Sequence, residues 1–132
     1  MVLSLPYPPS MNDYWHHDRR GRVYIAQSGK TFRTTVGWVV KQARANERYA
    51  DRLSVSVQLW MPDKRRRDID NVLKPLLDAL EHAGVYEDDS QIDQLYVTRC
   101  GVEKPGKCVV NVDVLRNGNI GKASRWALDN CS

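Results

Sequence analysis

Asp68 and Asp70 stand one residue apart, directly after the basic run Lys64-Arg65-Arg66-Arg67. Lys74 follows Asp70 by one helical turn, and a second acidic pair, Asp88-Asp89, lies further along. Carboxylates are hard oxygen donors, suited to Mg²⁺ or Mn²⁺ rather than to zinc. A cation held in this way polarises a phosphoryl oxygen, lowers the pKa of an attacking water and stabilises the leaving oxygen. These types and spacings therefore permit metal-dependent phosphodiester hydrolysis, with Asp68, Asp70, Asp88 and Asp89 as candidate ligands. Lys74 shares a helix face with Asp70 and can offset transition-state charge or orient water. Lys64, Arg65, Arg66 and Arg67 are candidate contacts to a phosphate backbone, and Arg19, Arg20, Arg22 and Lys30 extend that footprint.

Each feature also has a plainer explanation. Acidic residues at a helix start are favoured by the dipole and can cap it, which accounts for one aspartate better than for two. Asp88-Asp89 can be a solvated turn, and Lys74 can pair with Asp70 or Asp78. The basic run can be a solvated loop. Asp68-Ile69-Asp70-Asn71 is not an EF-hand, because neither the required glycine nor the closing glutamate follows. His16-His17 can bind metal, but exposed loop histidines usually do not. Tyr14 and Trp15 can stack on unpaired bases or pack against the sheet.

The elements that must position these residues are readable from periodicity. Residues 2–5 form a short strand that ends at Pro6, Pro8 and Pro9. Val23-Tyr24-Ile25 is a second short strand, with Ser28-Gly29 as a turn after it. Phe32, Val36, Val39, Val40 and Ala43 recur at helical spacing within 31–49. Leu53 to Trp60 alternates apolar and polar residues and predicts a half-buried strand. Asp70 to Ala83 predicts a second helix with Val72, Leu73, Leu76, Leu77, Leu80 and Ala83 on its inner face. Pro75 is tolerated only in a first turn, so that helix either starts late or kinks, and Gly84 ends it. Residues 91–100 and 108–115 are strands joined by a hairpin turn at Lys104–Lys107, which can place Cys100 across from Cys108.

Helix 70–83 carries the chain about 20 Å from Asp70, and residues 84–89 return at most about 20 Å when fully extended. Asp89 thus only just regains Asp70 within one chain. The alternatives are a shorter helix or a site completed by a partner subunit, and the single-chain site is expected.

The chain has 132 residues, 42% of them hydrophobic, and a formal net charge of +4, which suits one domain with an ordinary core. Residues 62–93 hold 5 Lys/Arg and 9 Asp/Glu, whereas the remainder holds 15 and 7. An acidic focus in a basic surround suits a metal-dependent enzyme acting on nucleic acid, although a solvated, mildly basic protein is the plainer account. Three cysteines make neither a disulfide framework nor a zinc pattern. No membrane span or secretory leader is recognisable, so a cytoplasmic protein is expected. A domain over 1–116 and a flexible Gly-, Asn- and Ser-rich tail over 117–132, in which Trp126 can dock, complete the expected organisation.

The combined pattern resembles the RusA family of Holliday junction resolvases. It comprises Met61-Pro62-Asp63 with the basic run, Asp68-Ile69-Asp70-Asn71 with Lys74, Asp78-Ala79-Leu80, Ala83-Gly84 and Asp88-Asp89-Ser90-Gln91-Ile92. Leu5-Pro6-Tyr7-Pro8-Pro9-Ser10 with Asn12 is similar to that family's opening. The resemblance covers roughly residues 3–115 and is far more specific than any of its pieces. It implies a small α+β fold with a mixed sheet of about four to five strands and two main helices. It also implies a homodimer, a common prophage origin, and Mg²⁺-dependent symmetric cleavage of four-way DNA junctions that leaves 5′-phosphates, with Mn²⁺ substituting. The family's catalytic carboxylates map onto Asp68, Asp70 and Asp89, with Asp88 beside them, and its functional lysine maps onto Lys74. Two-fold symmetry suits a junction with two strands to cut, and Leu76, Leu80 and a sheet edge are candidate interface elements. The rival expectations are a non-catalytic DNA-binding protein and a nuclease for other branched DNA.

Overall fold

The strand Leu53–Met61 (β4) is the centre of the molecule. In the computed structural model, which describes residues 1–115, it pairs with a strand on each side. The expected boundary near residue 116, the tail 117–132 and Trp126 lie outside those residues. Ile92–Val102 (β5) runs parallel to β4, and Lys107–Val114 (β6) runs antiparallel to it. Val2–Pro6 (β1) adds antiparallel to β6, so the sheet order is β1-β6-β4-β5. The result is the expected α+β architecture with a mixed four-stranded sheet.

Two expectations about the sheet are corrected. Residues 103–106 do not close a hairpin. They cross the C-terminal end of β4, where the Glu103 N–H donates to the Met61 carbonyl at 2.9 Å. A Cβ on Gly106 (φ +93°) would lie 2.9 Å from Tyr7 Cβ, so only glycine fits this crossing. Cys108 is therefore separated from Cys100 by β4, in register with Leu59. In addition, β4 is buried along both faces, Ser54, Ser56 and Gln58 included. Alternation alone predicts a half-buried strand, but this one is flanked on both sides.

A second, two-stranded sheet forms from Trp15–His17 (β2) and Val23–Ile25 (β3), after the short helix Met11–Tyr14 (α1). The long helix Gln27–Gln42 (α2) starts four residues earlier than periodicity predicts and stops sooner. Ser28-Gly29 is not a turn but part of its first turn. Gly29 packs so closely on α1 that a Cβ would lie 2.7 Å from the Tyr14 carbonyl. At its other end Arg44 takes the left-handed conformation (φ 54°), and the Ala45 N–H bonds back to the Val40 carbonyl at 2.9 Å. This is the Schellman closure usually made by glycine. With arginine there, the sequence carries no stop signal.

The helix around Pro75 starts late. Ile69–Val72 is a turn of 3-10 helix, and the α-helix Leu73–His82 (α3) begins after it. Pro75 thereby sits in the first α-helical turn, where a missing N–H leaves no bond unmade. Gly84 (φ +87°) ends α3 as expected, with the Val85 N–H bonded to the Leu80 carbonyl at 3.1 Å. The core lies between α2 and α3 and one face of the sheet. Phe32, Val36, Val40, Leu76, Ala79 and Leu80 meet Leu53, Val55, Val57 and Leu59 there. Leu76 and Leu80, candidate interface residues by sequence, are fully buried within the chain and offer no surface to a partner. Among the described residues, no helix is long and apolar enough to cross a membrane.

Candidate metal and nucleic-acid site

The acidic residues fall in two groups: Asp68 and Asp70 in the turn that precedes α3, and Asp88 and Asp89 with Glu81, a cluster of which Asp68 and Asp70 are not part. Asp68 occupies the N-cap position of the 3-10 turn, and Asp70 lies within it. Neither carboxylate caps that turn: its N-cap has no side-chain hydrogen bond. Among the described residues, no hydrogen bond or ion pair engages either side chain, and both residues are exposed. Capping, the plain explanation for this pair, is therefore not what the two carboxylates do. They are left facing solvent beside a basic run.

The return of the chain to this point is built by a second pairing. Tyr49 and Tyr86 form a parallel bridge, with Arg48 N–H to Gly84 carbonyl at 2.9 Å and Glu87 N–H to Tyr49 carbonyl at 3.2 Å. The buried Tyr86 hydroxyl donates to the Leu77 carbonyl at 2.5 Å and pins the segment to α3. Burial pushes that phenol well above its ordinary pKa, so it stays a donor. Asp88 then caps the short 3-10 turn Asp89–Gln91 in a reciprocal capping box. Its carboxylate accepts the Ser90 N–H at 2.8 Å, and the Gln91 side chain accepts the Asp88 N–H at 2.7 Å. The contacts of Ser90 hold the Asp88 carboxyl below its usual range. Gln91 is buried and also donates to the Tyr49 and Asp51 carbonyls, at 2.7 and 2.9 Å. The acidic turn is thus clamped rather than a free solvated loop.

Asp89 faces α3. Its Oδ2 accepts from Lys74 Nζ at 2.9 Å, so the lysine pairs with Asp89 and not with Asp70 or Asp78. This contact raises the Lys74 pKa, chiefly through the hydrogen bond. The turn bearing Asp89 therefore reaches Lys74 within one chain: α3 is 10 residues, about 15 Å, and Lys74 lies in its first turn. Glu81, in the last turn of α3, joins the cluster. Its Oε1 accepts the Asp89 N–H at 2.8 Å. Ligand atoms of Glu81, Asp88 and Asp89 all lie within 4.8 Å of one another. Three hard oxygen donors at that spacing fit Mg²⁺ or Mn²⁺ in character.

The basic run is organised by Asp63. Its carboxylate accepts the Arg65 N–H at 3.0 Å and pairs with the Arg67 guanidinium at 2.8 Å. Lys64, Arg65 and Arg66 remain exposed. Arg66, Arg67, Asp68 and Asn71 line a groove of about 390 Å³ together with Tyr7, Pro8, Pro9, Ser10 and Asp13. The other basic candidates lie elsewhere. Arg19, Arg20 and Arg22 cluster around the tip between β2 and β3, and Lys30 lines a separate groove with Arg33, Thr34 and His82.

A further device escaped the sequence. The Tyr14 hydroxyl donates to Asp78 Oδ2, and Arg33 binds both, Nε to the hydroxyl at 2.8 Å and Nη2 to Asp78 at 2.7 Å. Residues from α1, α2 and α3 are tied there, one turn beyond Lys74. Burial and the bond to Asp78 push the Tyr14 phenol far above its ordinary pKa. No local pattern announces such a contact, since the partners are 45 and 64 residues apart.

The family model described as endodeoxyribonuclease RusA matches residues 6–113. The crossover junction endodeoxyribonuclease rusA of Enterobacteria phage HK97 is 48% identical over 103 residues, 77% of this chain and 83% of that protein. The protein of the same name from Escherichia coli K12 is 35% identical over 115 residues, 87% of this chain and 95% of its own length. That of Enterobacteria phage 82 is likewise 35% identical over 115 residues.

Proposed function

The chain belongs to the RusA family of endodeoxyribonucleases, and from that premise we propose that it resolves Holliday junctions by Mg²⁺-dependent paired strand cleavage. The observation that carries the reading is the set of acids along α3 and its flanking turns, with Lys74 bound to Asp89. Asp68 and Asp70 are unengaged there, and Asp89 is held beside Lys74 by a clamped turn.

Asp68, Asp70 and Asp89 are the proposed ligands, with Asp88 assisting and Glu81 holding the Asp89 backbone. A bound divalent cation would supply Lewis-acid polarisation of the scissile phosphate and activation of the attacking water. Lys74 carries its positive charge beside Asp89, where it can stabilise charge that develops on the phosphoryl oxygens. Arg65, Arg66 and Lys64 present exposed cations to the adjoining phosphates, and Arg67, oriented by Asp63, lines the groove that Asp68 shares. Arg19, Arg20, Arg22 and Lys30 extend the DNA-binding footprint. The products carry 5′-phosphates, Mn²⁺ substitutes for Mg²⁺, and the enzyme works in the cytoplasm as a homodimer whose two sites cut opposing strands. The phage relatives support a prophage setting.

The test is cleavage of a synthetic four-way junction and of a linear duplex of the same sequence, with Mg²⁺, with Mn²⁺ and with EDTA. Paired nicks in the junction alone, abolished by EDTA, are expected. Failure of either cation to support any cutting rejects the reading.

A further inference from the structure

The β2–β3 hairpin takes no part in the acidic cluster, yet it is built with care. Asp18 organises its tip. One carboxylate oxygen accepts the Arg20 N–H at 2.9 Å and the Arg22 N–H at 2.8 Å, and the other accepts Arg22 Nε at 2.9 Å. Gly21 supplies the positive φ (+79°) that turns the chain. These contacts hold the Asp18 carboxyl below its usual range. A three-residue ladder is short to stand alone, and here the turn is fastened at its open end by a charged clamp. Arg19 and Arg20 project from it, and neither is drawn into an ion pair among the described residues.

Beside this tip lies an apolar and aromatic surface. Val23 is 57% exposed, Tyr24 53% and Met11 44%. His16 and Tyr24 face each other across the ladder, with ring centroids 5.8 Å apart. His16, His17, Trp15, Val23, Met11 and Asn12 line an adjoining groove of about 510 Å³, which shares His16 but not Tyr24 with this surface. Helix α1 separates this groove from the one holding Asp68: Asp13 lines the latter, Met11 and Asn12 the former. The two grooves are therefore neighbours across a single helical turn.

From this juxtaposition we propose that the hairpin is the site at which an unstacked base at a DNA branch point is received, on Tyr24 and His16, while Arg19 and Arg20 hold the flanking phosphates. This rests on the nuclease reading above. An aromatic face accepts any base by its π surface, and the arginines match a polyanion rather than an apolar protein partner. Continuous duplex has no free base to offer, so this surface contributes selectively to branched substrates.

The test uses the full chain carrying Asp70→Asn, so that DNA stays uncut. Binding to a four-way junction and to a duplex of equal length is measured for Tyr24 intact, Tyr24→Ala and Tyr24→Trp. Tyr24→Ala should weaken junction binding by about 5- to 100-fold, with a far smaller loss on duplex, and Tyr24→Trp should restore it. A junction with 2-aminopurine at the branch point should change its fluorescence on binding when Tyr24 is intact and lose that response with Tyr24→Ala. Equal loss on both DNAs, or none on either, overturns the inference while leaving the nuclease reading intact. Failure of the unmutated chain to cut the junction with Mg²⁺ or Mn²⁺ removes the nuclease reading itself, and the inference with it.

Discussion

Lys74 and Asp89 are 15 residues apart in the chain and 2.9 Å apart in space. The pair joins the first turn of α3 to the turn that follows its far end. It brings the second acidic segment back to Lys74 within one chain.

Asp70→Asn removes one proposed ligand charge and leaves the fold untouched, because the side chain of Asp70 is exposed and unengaged among the described residues. Cutting of a four-way junction should fall by more than about 100-fold, while junction binding persists or tightens as repulsion of phosphate declines. Gel-shift and cleavage assays on one preparation measure both. Retained cutting would show that Asp70 is not part of the site.

Glu81 acts through the Asp89 N–H, which needs an acceptor and not a charge. Glu81→Gln should keep cutting within a few-fold, whereas Glu81→Ala should raise the half-saturating Mg²⁺ concentration by about 10- to 100-fold. Thermal unfolding in EDTA reports the loss of the clamp independently of the metal. If Gln is as harmful as Ala, Glu81 serves as a ligand instead.

The Lys74 pKa is raised on folding, so the pair stabilises the fold fully below the unfolded lysine value of about 10.4 and loses that contribution as pH rises through the folded value. The lysine side chain is 56% exposed, which limits the contribution to about 0.2–1 kcal/mol. Lys74→Met should therefore cost little in urea unfolding at pH 8, and that difference should vanish in strong alkali. Cutting at pH 8 should fall far more, by about 100-fold or beyond. A loss of activity no larger than the loss of stability would make the lysine a structural residue only.

Tyr14→Phe deletes the hydroxyl shared by Asp78 and Arg33. Stability should drop by about 1–2 kcal/mol in urea unfolding, and cutting per folded molecule should be unchanged. An unaltered unfolding midpoint would mean that Arg33 alone satisfies Asp78.

Mixing Asp70→Asn and Asp89→Asn proteins under conditions of subunit exchange should recover no cutting. With both acids supplied by one chain, every site in a mixed dimer carries one lesion. A composite site would gather both lesions into one site and leave the other whole, so recovered cutting would place the site across two subunits.

Much of this was legible in the sequence, because the signals were local. Alternation marked β4, apolar spacing of three and four marked α2 and α3, and Pro75 and Gly84 marked the limits of α3 through the backbone freedom that each residue has. Asp68, Asp70, Lys74, Asp88 and Asp89 stood out as residue types suited to one chemistry, in the order in which a known family carries them. Arg44 hid the end of α2, since a left-handed cap occupied by arginine leaves no trace in composition.

What the tertiary structure alone decided is which distant groups meet. Strand order is a choice among pairings that the same alternating pattern satisfies equally, so a turn at 103–106 reads as a hairpin although it spans β4. The Tyr49–Tyr86 bridge, and not the length of the chain between Asp70 and Asp89, directs the return to α3. The partners of Asp78 and Glu81 were unreadable for the same reason. A carboxylate on a helix face has many possible donors, and packing brings only one set within 3 Å. Residue identity set the chemistry available at the site, because it depends on functional groups. Long-range packing set where that chemistry assembles, because it depends on which surfaces exclude water together.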